Sequence, residues 1–259
     1  MKLHAESGGS GAALVLLHGW GLHSGVWGPL WPALTRHFRV TAIDLPGHGH
    51  SPPPGDGASL EEIASAVSAV APPGAAWLGW SLGGQVALAA ALAGRDIDRL
   101  VLVATTPRFL AGPDWPCGLA APALAGLAAA LEADHRRTVR DFLTLQLRGD
   151  RRGAELLREL RGTLAARALP APAALRAGLA VLARTDLRDR LGALRQPTLV
   201  VAGERDRITP AEAGRRLAAA APDARLHLVP GAGHAPFLSD PDGFCRQVIE
   251  FLACAETVA

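Results

Sequence analysis

The sequence contains no tyrosine, a single methionine and a single lysine, Lys2; every other basic residue is arginine. With its many alanines and glycines, this is the mark of a compositional bias and carries no functional message. Cysteine is scarce too. Cys117, Cys245 and Cys254 are odd in number and show no metal-ligand spacing, which excludes a cysteine-built metal centre. They are expected to be reduced, inert thiols in a reducing cytoplasm. No apolar run approaches the length of a membrane span. Met1 to Ala13 has no long apolar region, and Leu14-Val15-Leu16-Leu17 is too short for a signal-peptide core, so no leader is expected. A strong excess of either charge is missing as well. The formal net charge is +2 over 259 residues, which gives no signal for nucleic acid or a membrane surface. A cytoplasmic, soluble monomer is expected.

What is present is apolar sequence, 49% of the chain, enough for a sizeable core. Apolar strands are read at Leu14–Leu17, Phe38–Leu45, Ala75–Gly79 and Arg99–Ala104. Helices fall between them, over Val26–Leu34, over Leu60–Val70 behind the cap Ser59, and after Ser81. Strands alternating with helices imply a parallel sheet covered on both faces. The alternation stops after Thr106. Four helical stretches follow, near Ala123–Leu131, His135–Leu147, Arg152–Leu164 and Ala173–Ala183. It resumes with strand Thr198–Ala202, a helix near Ala211–Ala220, strand Leu226–Val229 and a last helix near Phe244–Leu252. The expected organisation is α/β: a core of residues 1–106 and 191–259, and an inserted all-helical cap over 107–190. The cap holds fourteen arginines against nine acidic residues, and the remainder twelve basic against fifteen acidic. The cap is therefore the basic part.

The stretch Trp77-Leu78-Gly79-Trp80-Ser81-Leu82-Gly83-Gly84 is a strand, a very tight turn and the start of a helix. G-x-S-x-G in that setting is a nucleophile elbow. Its glycines allow the backbone to turn where a side chain would collide. Its serine sits strained at the tip, beside helix N–H groups that favour negative charge. A serine hydroxyl is a weak nucleophile and needs a base, usually a histidine held by a carboxylate.

Two late loops meet that need in the order Ser, Asp, His. Gly203-Glu204-Arg205-Asp206 follows one strand; Asp206 is the chosen carboxylate and Glu204 the fallback. Gly231-Ala232-Gly233-His234 follows the last strand, and His234 is the chosen base. His48 and His50 are read as turn residues. His18 is read as shaping the Gly-rich turn His18-Gly19-Trp20-Gly21. That turn is expected to supply one oxyanion donor, the N–H of Trp20, and Leu82, after the serine, the other. The Trp20 indole could wall an acyl site or pack in the core. The chemistry that fits is ester hydrolysis through an acyl-enzyme, with no metal or organic cofactor.

These motifs, with Asp44-Leu45-Pro46-Gly47-His48-Gly49, resemble the α/β-hydrolase fold, which general esterases, lactonases, peroxidase-like enzymes and C–C hydrolases share. A narrower resemblance rests on Leu14 to Leu22, Trp77 to Gly84, Arg137-Thr138-Val139, Phe142-Leu143-x-Leu145-Gln146 and His234-Ala235-Pro236-Phe237. Together they are similar to the pimeloyl-acyl-carrier-protein methyl ester esterases of biotin synthesis. That resemblance implies Ser81, Asp206 and His234 as triad, and Trp20, Ser81, Leu82 and His234 around the substrate. It implies Phe142, Leu143, Thr144, Leu145 and Gln146 along an acyl channel, where periodicity alone gives the buried face of a cap helix. It also implies an acyl carrier protein as partner, held by cap arginines, here Arg137, Arg140, Arg151 and Arg158. Asp141 and Ala154 stand where that pattern has arginine.

Overall fold

The structure, a computed structural model, describes residues 2–53 and 57–253; Pro54 of the proline-rich loop and Cys254 lie outside them. The strands are β1 (Ala5–Gly8), β2 (Ala12–Leu17), β3 (Phe38–Ile43), β4 (Ala75–Trp80), β5 (Ile97–Val103), β6 (Thr198–Gly203) and β7 (Ala224–Val229). They form one sheet in the order β1-β3-β2-β4-β5-β6-β7. β1 runs antiparallel to β3, and the other pairs are parallel. The helices are α1 (Trp31–Leu34), α2 (Leu60–Ser68), α3 (Leu82–Leu92), α4 (Ala121–Ala133), α5 (His135–Gln146), α6 (Gly153–Ala165), α7 (Pro172–Arg184), α8 (Ala211–Ala220), α9 (Pro236–Ser239) and α10 (Pro241–Ala253). Among the described residues, no helix is long and apolar enough to cross a membrane.

The central strands are unbroken apolar runs because helices cover both faces of the sheet. Every residue of β4 and β6 is buried. β1 carries no such run. Ala5-Glu6-Ser7-Gly8 is short, polar and largely exposed, a blunted edge with no apolar pattern to announce it. α2 starts as its sequence dictates: Ser59 accepts from the Glu62 N–H, and Glu62 reaches back to the Ser59 N–H at 2.7 Å, a reciprocal capping box. The helix expected over Val26–Leu34 needs correcting. A 3-10 turn, Ser24–Trp27, is followed by the single turn α1. Pro29 and Pro32 lack the N–H groups that a continuous helix would require.

Four helices, α4 to α7, lie between β5 and β6. The ends of this insertion meet, through a bridge between Arg108 and Asp186 and a 3.0 Å bond from the Leu187 N–H to the Pro107 carbonyl. It therefore leaves the sheet and returns at one place.

The strand order positions the site. From β2 the chain moves outward to β3, then crosses back to β4 on the other side of β2. Loops leaving the C-terminal ends of β2 and β4 diverge, and a crevice opens between them. The register pairs Leu17 with Gly79, so the turn after β2 begins beside the elbow after β4. Contact there is close. A Cβ at Gly83 would lie 2.4 Å from the Leu17 carbonyl oxygen, and one at Gly79 would lie 2.4 Å from that of Gly83. Both clashes are with backbone and cannot be relieved by a rotamer change.

Gly83→Ala is therefore expected to lose about 3 kcal/mol, the upper end of the usual overpacking range. Urea unfolding measures this, and a loss below about 1 kcal/mol would contradict the contact.

Candidate active site

Ser81 is the N-cap of α3, with φ 55° and ψ −117°. This left-handed region is strained for a residue with a Cβ, at about 1–3 kcal/mol. The surroundings hold it there. The Ser81 N–H donates to the Val103 carbonyl at 2.9 Å, and the Thr105 hydroxyl donates to the Ser81 carbonyl at 2.7 Å. The hydroxyl is thereby turned out of the sheet, and its oxygen lies 3.0 Å from His234 Nε2. His234 Nδ1 lies 2.7 Å from Asp206 Oδ2. Since Nδ1 faces a carboxylate, it carries the ring proton, and Nε2 is free to accept from the serine. The three side chains are almost fully buried. The structure thus brings together Ser81, Asp206 and His234, which lie far apart in the chain.

Each partner is held from several sides. Asp206 Oδ1 accepts from the N–H groups of Ile208 at 2.8 Å and Thr209 at 3.0 Å. The Thr209 hydroxyl donates to Asp206 Oδ2 at 2.8 Å and lies 3.3 Å from His234 Nδ1. The backbone of His234 is fixed by the inserted helices and the elbow: its N–H donates to the Gln146 carbonyl at 2.9 Å, and its carbonyl accepts from the Trp80 indole at 2.8 Å. The two late loops touch at Gly203, where a Cβ would stand 2.0 Å from the Gly233 carbonyl oxygen. Glu204 is exposed and accepts from the Gly231 N–H at 2.8 Å. It braces the histidine loop and does not take the place of Asp206.

The turn after β2 passes directly over the serine. A Cβ on Gly19 would sit 3.4 Å from Ser81 Cβ. Among the described residues, the backbone N–H groups of Trp20 and Leu82 have no acceptor, so both remain available to a ligand. Two neutral imidazoles hold this turn. His18 Nε2 accepts from the Leu45 N–H at 2.9 Å, so Nδ1 carries the proton and donates to the Gly19 carbonyl at 2.8 Å. His48 Nε2 accepts from the Gly21 N–H at 3.3 Å, and its Nδ1 donates to the Pro46 carbonyl at 3.0 Å. Burial pushes the His18 imidazole down to about 3, with the neighbouring His48 adding to the shift. Burial likewise pushes His48 down to about 4. His48 is therefore a brace and more than the turn residue its sequence context suggests. His50 is exposed and donates its N–H to Asp44 at 2.9 Å.

The helix α5 divides the residues expected along an acyl channel. Phe142, Leu143 and Gln146 are buried; Phe142 packs edge-on against Trp20 with centroids 4.9 Å apart. The Gln146 side-chain oxygen is buried with no described hydrogen-bond partner. Thr144 is exposed and donates to the Arg140 carbonyl at 3.3 Å. Together with Leu145 it lines an outer groove between α5 and α6, so the structure does not bring these two to the crevice. Thr144, two residues from both Phe142 and Gln146, falls on the opposite side of the helix, and half-buried Leu145 lies on its flank. The Trp20 indole donates to the Leu175 carbonyl at 2.9 Å and so ties the turn to α7. The cap arginines fall in different surroundings. Arg137 pairs with Asp141 at 3.4 Å, Arg151 lies against the Gly231 turn, Arg158 is exposed on α6, and Arg140 lines a separate cleft. Of the described cysteines, Cys117 and Cys245 are buried, and burial raises both thiols, Cys245 to about 11. They make poor nucleophiles.

Residues 14–247 match the Alpha/beta hydrolase family. A protein of Methylococcus capsulatus named pimeloyl-[acyl-carrier protein] methyl ester esterase is 45% identical, with 98% of this chain and 99% of its own covered. One of the same name from Xanthomonas oryzae pv. oryzae is 43% identical, covering 97% and 99%. Among solved structures, an esterase from Exiguobacterium antarcticum superposes with a TM-score of 0.88 at 22% identity, covering 97% and 95%, and shows the same fold.

Thr209→Val removes one donor from the carboxylate oxygen that faces His234. The expected result is a kcat lowered roughly fivefold, about 1 kcal/mol of barrier, with KM unchanged and recovery in Thr209→Ser. Equal kcat in all three proteins would show the hydroxyl to be a bystander. The buried histidines set an acid limit. An unfolded imidazole takes its proton near pH 6.5, whereas folded His48 stays neutral down to about 4. Between these values the unfolded state binds more protons, so stability is complete above about pH 6.5 and drains away as the pH falls. Urea midpoints measured from pH 7.5 to 4 should fall less steeply in His48→Gln than in the parent chain. Parallel curves would deny His48 this role.

Proposed function

The chain belongs to the alpha/beta hydrolase family, and from that premise we propose that it is a serine esterase removing the methyl group from a pimeloyl chain carried on acyl carrier protein. Ser81 Oγ attacks the ester carbonyl carbon while His234 Nε2 takes its proton. Asp206 orients the imidazole and offsets the positive charge it gains. The carbonyl oxygen becomes an oxyanion at the N-terminus of α3, where the free N–H groups of Leu82 and Trp20 receive it. His234 then returns the proton to the methoxy oxygen, and methanol leaves an acyl-Ser81. Water, deprotonated by the same imidazole, cleaves that ester and releases the carboxylate with its carrier. Residues 107–190 act as a lid: Phe142, Leu143 and Gln146 face the acyl chain, with the unpartnered Gln146 oxygen available to a polar group on it.

The observation that carries this reading is the continuous hydrogen-bonded row from Ser81 through His234 to Asp206. The names of the Methylococcus and Xanthomonas relatives support the choice of ester. The free methyl ester end is the reacting group, and the carrier remains attached at the other. Biotin synthesis is the pathway the resemblance implies.

Ser81→Ala is expected to keep its fold by circular dichroism and to lose activity by about 10^4-fold or more. The parent chain should give a higher kcat/KM on the carrier-linked methyl ester than on dimethyl pimelate, and should rescue a biotin-requiring strain that lacks its demethylating esterase. Undiminished turnover in Ser81→Ala would remove the triad from the reaction. A preference for the small diester would make the protein a general short-chain esterase.

A further inference from the structure

The loop between α5 and α6, residues 147–152, lies against both late loops of the core. Arg205, beside Asp206, donates to the Gly149 carbonyl at 3.4 Å. The Arg151 N–H donates to the Gly231 carbonyl at 3.4 Å, and the Arg152 guanidinium donates to the Leu238 and Ser239 carbonyls, each at 3.4 Å. These bonds are long and individually weak. Among them stands a tighter set made by one half-buried carboxylate. Asp150 Oδ2 accepts from the Gly233 N–H at 2.9 Å and from the Ser239 hydroxyl. Asp150 Oδ1 accepts from the Arg152 N–H at 2.8 Å, an Asx-type turn that fixes the carboxylate within its own loop.

Gly233 immediately precedes His234, and Ser239 ends the short helix α9 that follows it. One side chain therefore grips the backbone on both sides of the base. Gly233 is buried, and among the described residues Asp150 is the only acceptor for its N–H. A buried N–H left without an acceptor is costly, so this peptide stays where the carboxylate is. The next N–H, that of His234, goes to the Gln146 carbonyl. Two successive peptide groups at the base are thus held by residues of the insertion. No looser path is open to them. A Cβ on Gly233 would stand 2.9 Å from the Gln146 carbonyl oxygen and 3.5 Å from Asp150 Cβ. The bonds of the Asp150 carboxylate go to groups flanking His234 and to its own loop, and none goes to a triad side chain.

We propose that Asp150 is a positioning residue for the reaction: a carboxylate supplied by the inserted helices that sets the backbone around His234, and through it the approach of Nε2 to Ser81 Oγ. The inserted helices then complete the base as well as covering the crevice. A hydrogen-bonded row of three side chains tolerates little displacement, and a misplacement of about 1 Å costs on the order of a hundredfold in rate. The inference rests on the triad reading above and is indifferent to which ester is cleaved.

The test compares the parent chain with Asp150→Ala, Asp150→Ser, Asp150→Asn, Asp134→Ala and His234→Ala on a nitrophenyl ester. Serine can still close the local turn onto the Arg152 N–H but is too short to reach Gly233. Asparagine keeps an oxygen for Gly233. Asp134 caps α5 by accepting from the Arg137 N–H at 2.9 Å, so its loss weakens the same helices without touching the histidine loop. In Asp150→Ala and Asp150→Ser, kcat should fall about tenfold to a hundredfold, with KM within about twofold. Phosphonylation of Ser81 by a nitrophenyl phosphonate, which needs the base but no turnover, should slow by the same factor. Asp150→Asn should recover most of both rates, and Asp134→Ala should keep the parent kcat despite a lower urea midpoint. The resonance of the proton between His234 Nδ1 and Asp206 should broaden or shift in Asp150→Ser and return in Asp150→Asn. Parent rates in Asp150→Ala, or in Asp150→Ser should the alanine variant not fold, would overturn the assignment. A raised KM at parent kcat would overturn it by making Asp150 a substrate contact. An equal loss of kcat in Asp134→Ala would overturn it by reducing the effect to stability of the insertion. Should His234→Ala keep its turnover, the triad reading itself fails; with His234→Ala inactive and Asp150→Ala at the parent rate, only the role of Asp150 fails.

Discussion

The structure depends on one backbone conformation, the positive φ of Ser81. A serine in ordinary helical or extended geometry at the end of β4 would point its hydroxyl along the sheet or into α3. The left-handed turn lifts it into the crevice within reach of His234. The cost is met locally: Val103 and Thr105 fix both peptide groups of the serine. The close backbone approaches at Gly79 and Gly83 leave the chain no wider path. Because α3 begins at that point, its unpaired N–H groups face the position where an attacked carbonyl would gain charge. Strain, nucleophile and anion site therefore come from the same few residues.

A second layer keeps the opposite wall in place, and here electrostatics are used to avoid charge. His18 and His48 are buried as neutral rings whose Nε2 atoms accept backbone N–H groups. Protonating either would set a donor against a donor, so burial and hydrogen bonding oppose the charged form together. Asp44 shows the reverse. Burial alone would raise its pKa, but the His50 and Ser24 N–H groups hold it below the usual carboxylate range. As a carboxylate it anchors Arg167 from the segment before α7. The turn over Ser81 is thus tied to the inserted helices through Asp44–Arg167, through the Trp20–Leu175 bond and, just beyond the turn, through His23 Nε2 and the Thr163 carbonyl at 2.9 Å.

Much of this was legible in the sequence because it rests on local rules. Continuous apolar runs mark the buried strands, and the glycine-rich turns after them mark the loops at the C-terminal edge. The Ser59 cap names the start of α2. What was not legible involves partners distant in the chain or signals overridden by backbone chemistry. Arg167 and Asp44 are 123 residues apart, and no pattern links them. The 26–34 stretch has helical spacing, yet Pro29 and Pro32 deny it a continuous helix. Thr209 carried a readable hint: three residues after Asp206, its side chain and N–H can both return to the carboxylate, as they do in the Asx-type turn seen here. Phe142 to Gln146 looked like one lining segment, but a helix cannot present five consecutive residues to one side.

The basic cap shows why counting charge differs from locating it. A surplus of arginine over a segment says only that an acidic partner would be attracted, and compositional bias toward arginine produces such a surplus without any partner. Pairing separates the two cases. Exposed arginines that salt-bridge to a neighbouring acid, as Arg137 does to Asp141, present little net field to a ligand. In the cap, Arg108, Arg137, Arg152, Arg167, Arg176 and Arg188 have acidic partners, whereas Arg136, Arg140, Arg148, Arg151, Arg158, Arg161, Arg184 and Arg190 make no ion pair among the described residues. The net positive charge of the cap is therefore carried by eight exposed guanidinium groups spread over its surface, which is a property of the fold that the charge count alone does not locate.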